Sequence, residues 1–254
     1  MSDSDPSVRS AALQALAENW PDQATRDLLA QRAVQDDGEE ARSTALQALA
    51  KNWADQTIRD LLTKRAVQDD DWRPRRAALQ ALSKNWRDQT TRDLLAERAV
   101  QDGDEDARIA ALQALAENWP DQATRVLLGQ RAVQDEDEYA RCAALQALAN
   151  KWPDLTTRNL LAQCAGLEHN VDIRREVLWV LVEEWPGSDT RDLLVQLAVH
   201  GDSDAARHDV LQALAERWPD QTVRDLLAQR AVQDDSAVVR SAALWALVEN
   251  WPDD

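Results

Sequence analysis

Several residue types are scarce in this sequence. Among 254 residues there is no Phe, one Tyr, one Met, six Gly, eight Pro and two cysteines. Two thiols, Cys142 and Cys164, are too few for a disulfide framework or a zinc site, so we expect a reducing, cytoplasmic location. The shortage of Gly and Pro leaves little material for β-turns, and it favours an all-α fold over a β-fold.

The chain is also short of positive charge and of long apolar runs. Its 46 acidic residues against 29 basic ones give a net charge of −17. Nucleic acids and anionic membranes attract a surplus of Lys and Arg, which is absent here. No apolar run approaches the roughly 18 residues of a membrane span, and the acidic start MSDSDPSVR is unlike a secretory signal. We therefore predict no nucleic-acid or membrane partner.

Tryptophan, by contrast, is abundant and periodic. It recurs every 33 residues without an insertion or deletion, at Trp20, Trp53, Trp86, Trp119, Trp152, Trp185, Trp218 and Trp251. An Arg stands eleven residues before each of these tryptophans, and another stands six residues after seven of them. The segment AALQALAENWPDQATR is identical at 11–26 and 110–125. A fixed period of this length predicts stacked supersecondary units.

Each period predicts two helices. Val8, Leu13, Leu16 and Trp20 fall at helical spacing and form one apolar stripe. The chain then turns, and Asp22 is expected to cap the second helix. The whole chain, 1–254, is thus predicted to be one domain of about 15 helices, eight that end at a periodic Trp and seven between them.

The periodic residues are interpreted as structural. We expect the periodic Trp to fill space between layers of the core. Asp22 and Arg26 stand four residues apart, a spacing that stabilises a helix when the two side chains pair. The Arg columns are expected to pair with carboxylates of their own or a neighbouring layer, and the alternative is that stacked guanidiniums clamp an anionic ligand.

The repeat resembles the HEAT family. An acidic turn residue is followed six positions later by an Arg and an Ala/Leu-rich helix, in the pairs Asp3/Arg9, Asp36/Arg42, Asp69/Arg75, Asp102/Arg108, Asp135/Arg141, Glu168/Arg174 and Asp234/Arg240. Gly201 breaks the pattern before Arg207. The resemblance implies an α-solenoid (superhelix) of helix pairs, in which Asp and Arg form a ladder and the Arg-bearing helix lines the concave surface.

Patterns associated with catalysis or metal binding are missing. His169, His200 and His208 lack a metal-ligand spacing such as HExxH, and there is no Gly-rich phosphate loop or GxSxG elbow. HEAT-like iron hydroxylases carry His-Glu dipeptides, whereas this chain has only the reverse order at Glu168-His169. We therefore predict that the protein is not an enzyme and has no catalytic residue, metal or cofactor.

The most informative positions are those at which the repeat departs from itself. Six residues before the periodic Trp, six units have Gln and the other two have Trp179 and Trp245. This position lies off the apolar stripe, so both indoles should reach a surface, unless they fold over adjacent layers or serve a buried end contact. Exposed Trp and Arg are typical of binding hot spots. The predicted partner-binding patch consists of Arg175, Trp179, His208, Asp209, Gln212 and Trp245.

These observations predict a non-catalytic protein-interaction scaffold. It would bind a peptide or protein along the concave surface toward its C-terminal half. One alternative is an enzyme or chaperone resembling the HEAT-like bilin lyases. Another is a self-assembly element, such as a homodimer that stacks through exposed solenoid ends. The resemblance also implies an origin among arrays found C-terminally in larger bacterial signalling proteins.

Overall fold

The computed structural model describes residues 5–252, and helices make up 82% of them, with no strand in this part of the chain. The all-α prediction and the expected number of helices are confirmed. The helices are α1 (Pro6–Asn19), α2 (Gln23–Gln35), α3 (Glu39–Asn52), α4 (Gln56–Gln68), α5 (Trp72–Asn85), α6 (Gln89–Gln101), α7 (Glu105–Asn118), α8 (Gln122–Gln134), α9 (Glu138–Lys151), α10 (Leu155–Leu167), α11 (Val171–Glu184), α12 (Ser188–His200), α13 (Asp204–Arg217), α14 (Gln221–Gln233) and α15 (Ala237–Asn250).

The repeat sets where each helix begins and ends. Every odd-numbered helix ends one residue before a periodic Trp. As predicted, the Asp22 carboxylate caps α2 by accepting from the Thr25 backbone N–H at 2.9 Å, and Asp55 caps α4 in the same way. The longest of these helices has 14 residues, and in the part of the chain that the structure describes none is long and apolar enough to cross a membrane.

The periodic tryptophans do not fill the core, contrary to the expectation. Trp20 is 61% exposed, and the other seven are half-buried. The reason is local: Trp20 is the C-cap of α1, with φ −136°, so its side chain has already left the helical stripe. The core consists instead of smaller aliphatic side chains, such as the fully buried Leu46, Leu49 and Leu62 and the small Ala45 that separates close-packed helices.

Residues 5–127 form one compact unit, which contains α1 to α7 and the start of α8. Within it α1, α3, α5 and α7 pack side by side, and each even-numbered helix packs mainly on the odd-numbered helix that follows it. Asn side chains tie neighbouring odd-numbered helices together: Asn52 donates Nδ2–H to the Ala17 carbonyl at 3.1 Å, and Asn85 donates to the Ala50 carbonyl at 3.3 Å. The unit is therefore a stack of helix pairs with one continuous core.

Residues 128–252 form the second compact unit, which contains the rest of α8 and α9 to α15. Here too the odd-numbered helices α9, α11, α13 and α15 lie next to one another, and α10, α12 and α14 pack on the odd-numbered helix that follows. Both units thus have the helix-pair stacking of an α-solenoid, as predicted. A single domain over 1–254 stays a prediction. The exposed surface of α11, α13 and α15, all in this unit, carries the predicted patch.

Candidate functional site

The arginines eleven residues before each Trp form the ladder that the HEAT resemblance implies. Arg42 donates Nη2–H to the Asp69 carboxylate of the next repeat at 2.9 Å, and Nη1–H to the main-chain oxygen of Asp36 in its own repeat at 2.8 Å. Asp36, six residues before Arg42, therefore binds it through a main-chain carbonyl. Asp69, 27 residues after Arg42, binds it through a charged carboxylate. The same pairing joins Arg9 to Asp36, Arg75 to Asp102, Arg141 to Glu168, and Arg207 to Asp234.

The ladder carboxylates are buried and charged. The Asp69 side chain has no solvent exposure and pairs with both Arg42 and Arg65. Burial alone would raise the pKa of Asp69, but the hydrogen bonds from the two arginines outweigh burial and lower the pKa below its ordinary value of 3.8. The same balance of burial against arginine hydrogen bonds lowers the pKa of Asp36, Glu168 and Asp234. The positive charges of these arginines are therefore neutralised by carboxylates of the chain itself. This favours a structural role for the arginines over the binding of an anionic ligand.

The second arginine column also connects repeats. Arg26 was expected to pair with Asp22 within α2, but its guanidinium reaches Asp55, the N-cap of α4, at 2.7 Å. Arg59 likewise reaches Asp88 at 2.6 Å. The expected pair between Asp22 and Arg26 is wrong because an N-cap carboxylate faces the first backbone N–H groups of its own helix. There it also contacts the arginine of the preceding repeat, as Asp55 contacts Arg26.

One arginine of the ladder pairs with a different carboxylate at the repeat where the acidic residue is missing. Gly201 has no carboxylate to offer Arg174, and Arg174 pairs instead with Asp209 of α13, at 2.6 Å. The Asp209 side chain is 2% exposed and also contacts Arg175 Nε at 3.3 Å and His208 Nδ1 at 3.0 Å. Asp209, a member of the predicted partner-binding patch, therefore lies beneath the surface, where it contacts Arg175 and His208 instead of being exposed to a partner.

Trp179 borders a surface groove between α11 and α13. Trp179 is 62% exposed, so its indole reaches the surface as predicted and is not buried beneath its neighbours. The groove has a volume of about 480 Å³, and Asp209 lies at its floor. We call this cavity the Trp179 groove; its lining residues are Arg175, Leu178, Trp179, Val182, Glu183, Asp209, Gln212, Ala213, Glu216 and Arg217.

Trp245 borders a second groove between α13 and α15. Its indole is 65% exposed, and the cavity has a volume of about 550 Å³. We call it the Trp245 groove; its lining residues are His208, Gln212, Ala237, Val238, Ser241, Ala242, Trp245, Ala246 and Glu249. Gln212 lines both grooves. The structure thus brings all six predicted patch residues to two adjoining grooves, with Asp209 buried rather than at the rim.

Sequence reasoning found Arg175 and Asp209 but missed the glutamates and Arg217 of the grooves. Glu183 and Glu249 stand four residues after the exposed indoles, and Glu216 holds the same place after Gln212. The signal was available, because residues four apart share one face of a helix. Arg217, which lines the Trp179 groove, had no such signal, since its position is Asn in five of the eight repeats.

The surroundings of the two cysteines keep both of them as thiols, and Cys164 shares a cavity with a histidine. Burial is the main cause that raises the pKa of both Cys142 and Cys164 to about 11, so both remain thiols at neutral pH. Cys164 lines a cavity of about 280 Å³ together with Glu168 and His169. Over residues 5–252, no three His, Cys, Asp or Glu side chains converge as metal ligands would.

The family model and one solved structure agree with this architecture. The family model that describes HEAT repeats matches residues 1–83, 27–116 and 125–215. The crystal structure of YibA from Escherichia coli shares 16% identity and a TM-score of 0.55, over 100% of this chain and 94% of that chain. The complex of CpcE and CpcF of phycocyanin lyase from Nostoc shares 19% identity and a TM-score of 0.44, over 97% and 91%. Human deoxyhypusine hydroxylase in complex with glycerol shares 19% identity and a TM-score of 0.37, over 96% and 91%. A comparison with curated proteins gives no match.

Proposed function

The chain belongs to the HEAT repeat family, and on this premise we propose that it is a non-catalytic interaction scaffold that binds a peptide segment of a protein partner. The segment lies across the Trp179 and Trp245 grooves, on the exposed surface of α11, α13 and α15. The scaffold uses no metal or cofactor, and the chemistry of binding is that of an apolar anchor surrounded by polar groups.

The exposure of the two indoles carries this proposal. Trp179 and Trp245 replace a Gln that is at ease in water, and each indole leaves more than half of its surface uncovered beside a groove. A partner that covers an indole removes a large apolar area from water, and its rigid ring loses little conformational entropy. Because the two grooves adjoin at Gln212, one segment can occupy both.

Self-assembly is a second candidate, favoured by the outer face of α15. Leu244 and Val248 are 53% and 62% exposed, although Leu178 and Leu211, the counterparts of Leu244 in α11 and α13, are buried. A second copy that packs on this face would cover them. A mass that rises with concentration in light scattering, and that falls to one chain in a Leu244→Gln/Val248→Gln variant, would support this candidate.

The proposed function predicts binding that depends on the two indoles. The matched variant is Trp179→Gln/Trp245→Gln, because six repeats carry Gln at this position and the fold accepts it. We expect displayed random peptides of about 16 residues, which extend over about 50 Å, to be enriched on the wild-type protein. Their affinity, measured by fluorescence polarization, should fall by a factor of about 30 for each indole replaced, and so by about 1,000 in the double Gln variant, since each anchor residue contributes about 2 kcal/mol or more.

The control places the same indoles on the other unit. Gln80→Trp/Gln113→Trp adds two tryptophans at the equivalent positions of α5 and α7, and combined with the double Gln variant it should not restore binding. Circular dichroism of each variant verifies the helix content. The proposal fails if no enriched peptide loses affinity in the double Gln variant.

A further inference from the structure

The two grooves also indicate the chemistry of their occupant. We infer that it is an extended, basic peptide segment whose Arg or Lys side chains, about six residues apart, bind Trp179 with Glu183 and Trp245 with Glu249. This inference rests on the proposed function, since it names the class of partner that the same grooves bind.

Each exposed indole stands one helical turn from an exposed carboxylate. Glu183 follows Trp179 by four residues in α11, and Glu249 follows Trp245 by four residues in α15. Both glutamates line the groove of their own indole. A cation that enters there meets the face of an aromatic ring and a negative charge together, and both attract Arg and Lys.

The change from Gln to Trp also leaves these carboxylates available. In two of the six repeats that keep Gln, the amide donates to a Glu four residues later: Gln14 to Glu18 at 3.2 Å, and Gln212 to Glu216 at 3.1 Å. An indole ring at this position has replaced the amide donor. Within residues 5–252, the side chains of Glu183 and Glu249 have no hydrogen bond or ion pair. A cationic ligand therefore displaces only water from them.

The spacing of the two sites sets the spacing of the cations. The helices α11 and α15 flank α13 in the layer of odd-numbered helices, so the sites lie two helix separations apart, about 16–20 Å. An extended chain rises about 3.3 Å per residue, so this distance corresponds to about six residues. An even number also keeps both side chains on the same face of the extended segment.

Two arginines, Arg175 and Arg217, line the Trp179 groove, and their positive charges would repel a basic ligand. Arg175 is directed to the buried Asp209, which it shares with Arg174. Arg217 is exposed and lies next in sequence to Glu216. A basic segment should therefore bind more tightly once the Arg217 charge is removed, whereas an acidic segment should bind less tightly. The sign of this effect identifies the charge of the partner.

The test uses the indole-dependent peptides from the random library on the full chain. We expect them to be enriched in pairs of Arg or Lys separated by about six residues. Glu183→Gln/Glu249→Gln should weaken their binding by a factor of about 10, and salt should weaken the wild-type complex. Arg217→Gln should tighten it by a factor of about two. The matched control, Glu18→Gln/Glu117→Gln, changes the same helix position in α1 and α7 and should leave affinity unchanged.

The outcomes separate this inference from the proposed function. Indole-dependent peptides without basic residues, or with affinities that the Glu variants do not change, overturn the basic segment and leave the scaffold proposal standing. Indole-dependent peptides that bind less tightly to Arg217→Gln indicate an acidic partner and also overturn it. If no peptide depends on the indoles, the scaffold proposal fails and this inference fails with it.

Discussion

At the scale of single residues, buried charge distinguishes the arginines that support the fold from those at the surface. Arg75 and Asp102 are 12% and 2% exposed and lie 2.8 Å apart. Arg75→Ala leaves the buried Asp102 carboxylate without its arginine, so we expect the free energy of unfolding in urea to fall by about 3 kcal/mol.

The neighbouring Arg76 provides the control for this prediction. It pairs with Asp106 at 3.5 Å, and the two side chains are 43% and 39% exposed, far more than Arg75 and Asp102. Arg76→Ala should therefore cost less than about 1 kcal/mol. Equal losses for the two variants would show that burial does not determine the contribution of the ladder.

At the scale of helices, α11 and α13 are joined by an ion pair, Arg174 with Asp209, that differs from the ladder pairs of the other repeats. The acid missing at Gly201 is supplied by Asp209, at a position that is Ala in five other repeats. Although Ala is the common residue, we expect Asp209→Ala to lower the free energy of unfolding by about 3–4 kcal/mol, because the buried Arg174 would lose its counterion. It should also loosen Arg175, which can be followed through peptide binding.

Glu176 is the matched control for Asp209, since it occupies the same position one repeat earlier. Its carboxylate is exposed and accepts from Gln146 Nε2 at 2.9 Å. Glu176→Ala should cost less than about 1 kcal/mol of unfolding free energy. If Asp209→Ala were as mild as Glu176→Ala, Arg174 would have another counterion and the assigned pair of Arg174 with Asp209 would be wrong.

At the scale of the whole molecule, the sequence predicts the fold well because every period repeats the same helix signals. The N-cap at Asp22 and the exposure of Trp179 and Trp245 also follow from local spacing. The burial of Asp209 could not be predicted from local spacing. It depends on Gly201, eight residues earlier, which lacks the carboxylate that would otherwise pair with Arg174. The periodic Trp was wrongly expected in the core, because its spacing in the sequence continues the apolar stripe although the helix ends one residue before it.

The ladder should make the stability of the molecule sensitive to acid. The carboxylates of Asp36, Asp69 and Asp234 have pKa values lowered from 3.8, because arginine hydrogen bonds outweigh the opposing effect of burial. In the unfolded chain they bind protons at the ordinary pKa, so their contribution to stability is fully present above it. It is lost as the pH falls from that value through the lower folded pKa.

We therefore expect the urea midpoint to stay nearly constant from about pH 7 to pH 5 and to fall steeply below about pH 4. Asp69→Asn removes one titrating carboxylate and should be less stable at neutral pH, yet lose less stability on acidification than the wild-type protein. A urea midpoint that already fell between about pH 7 and pH 5 would contradict the ladder carboxylates as the source of the acid sensitivity.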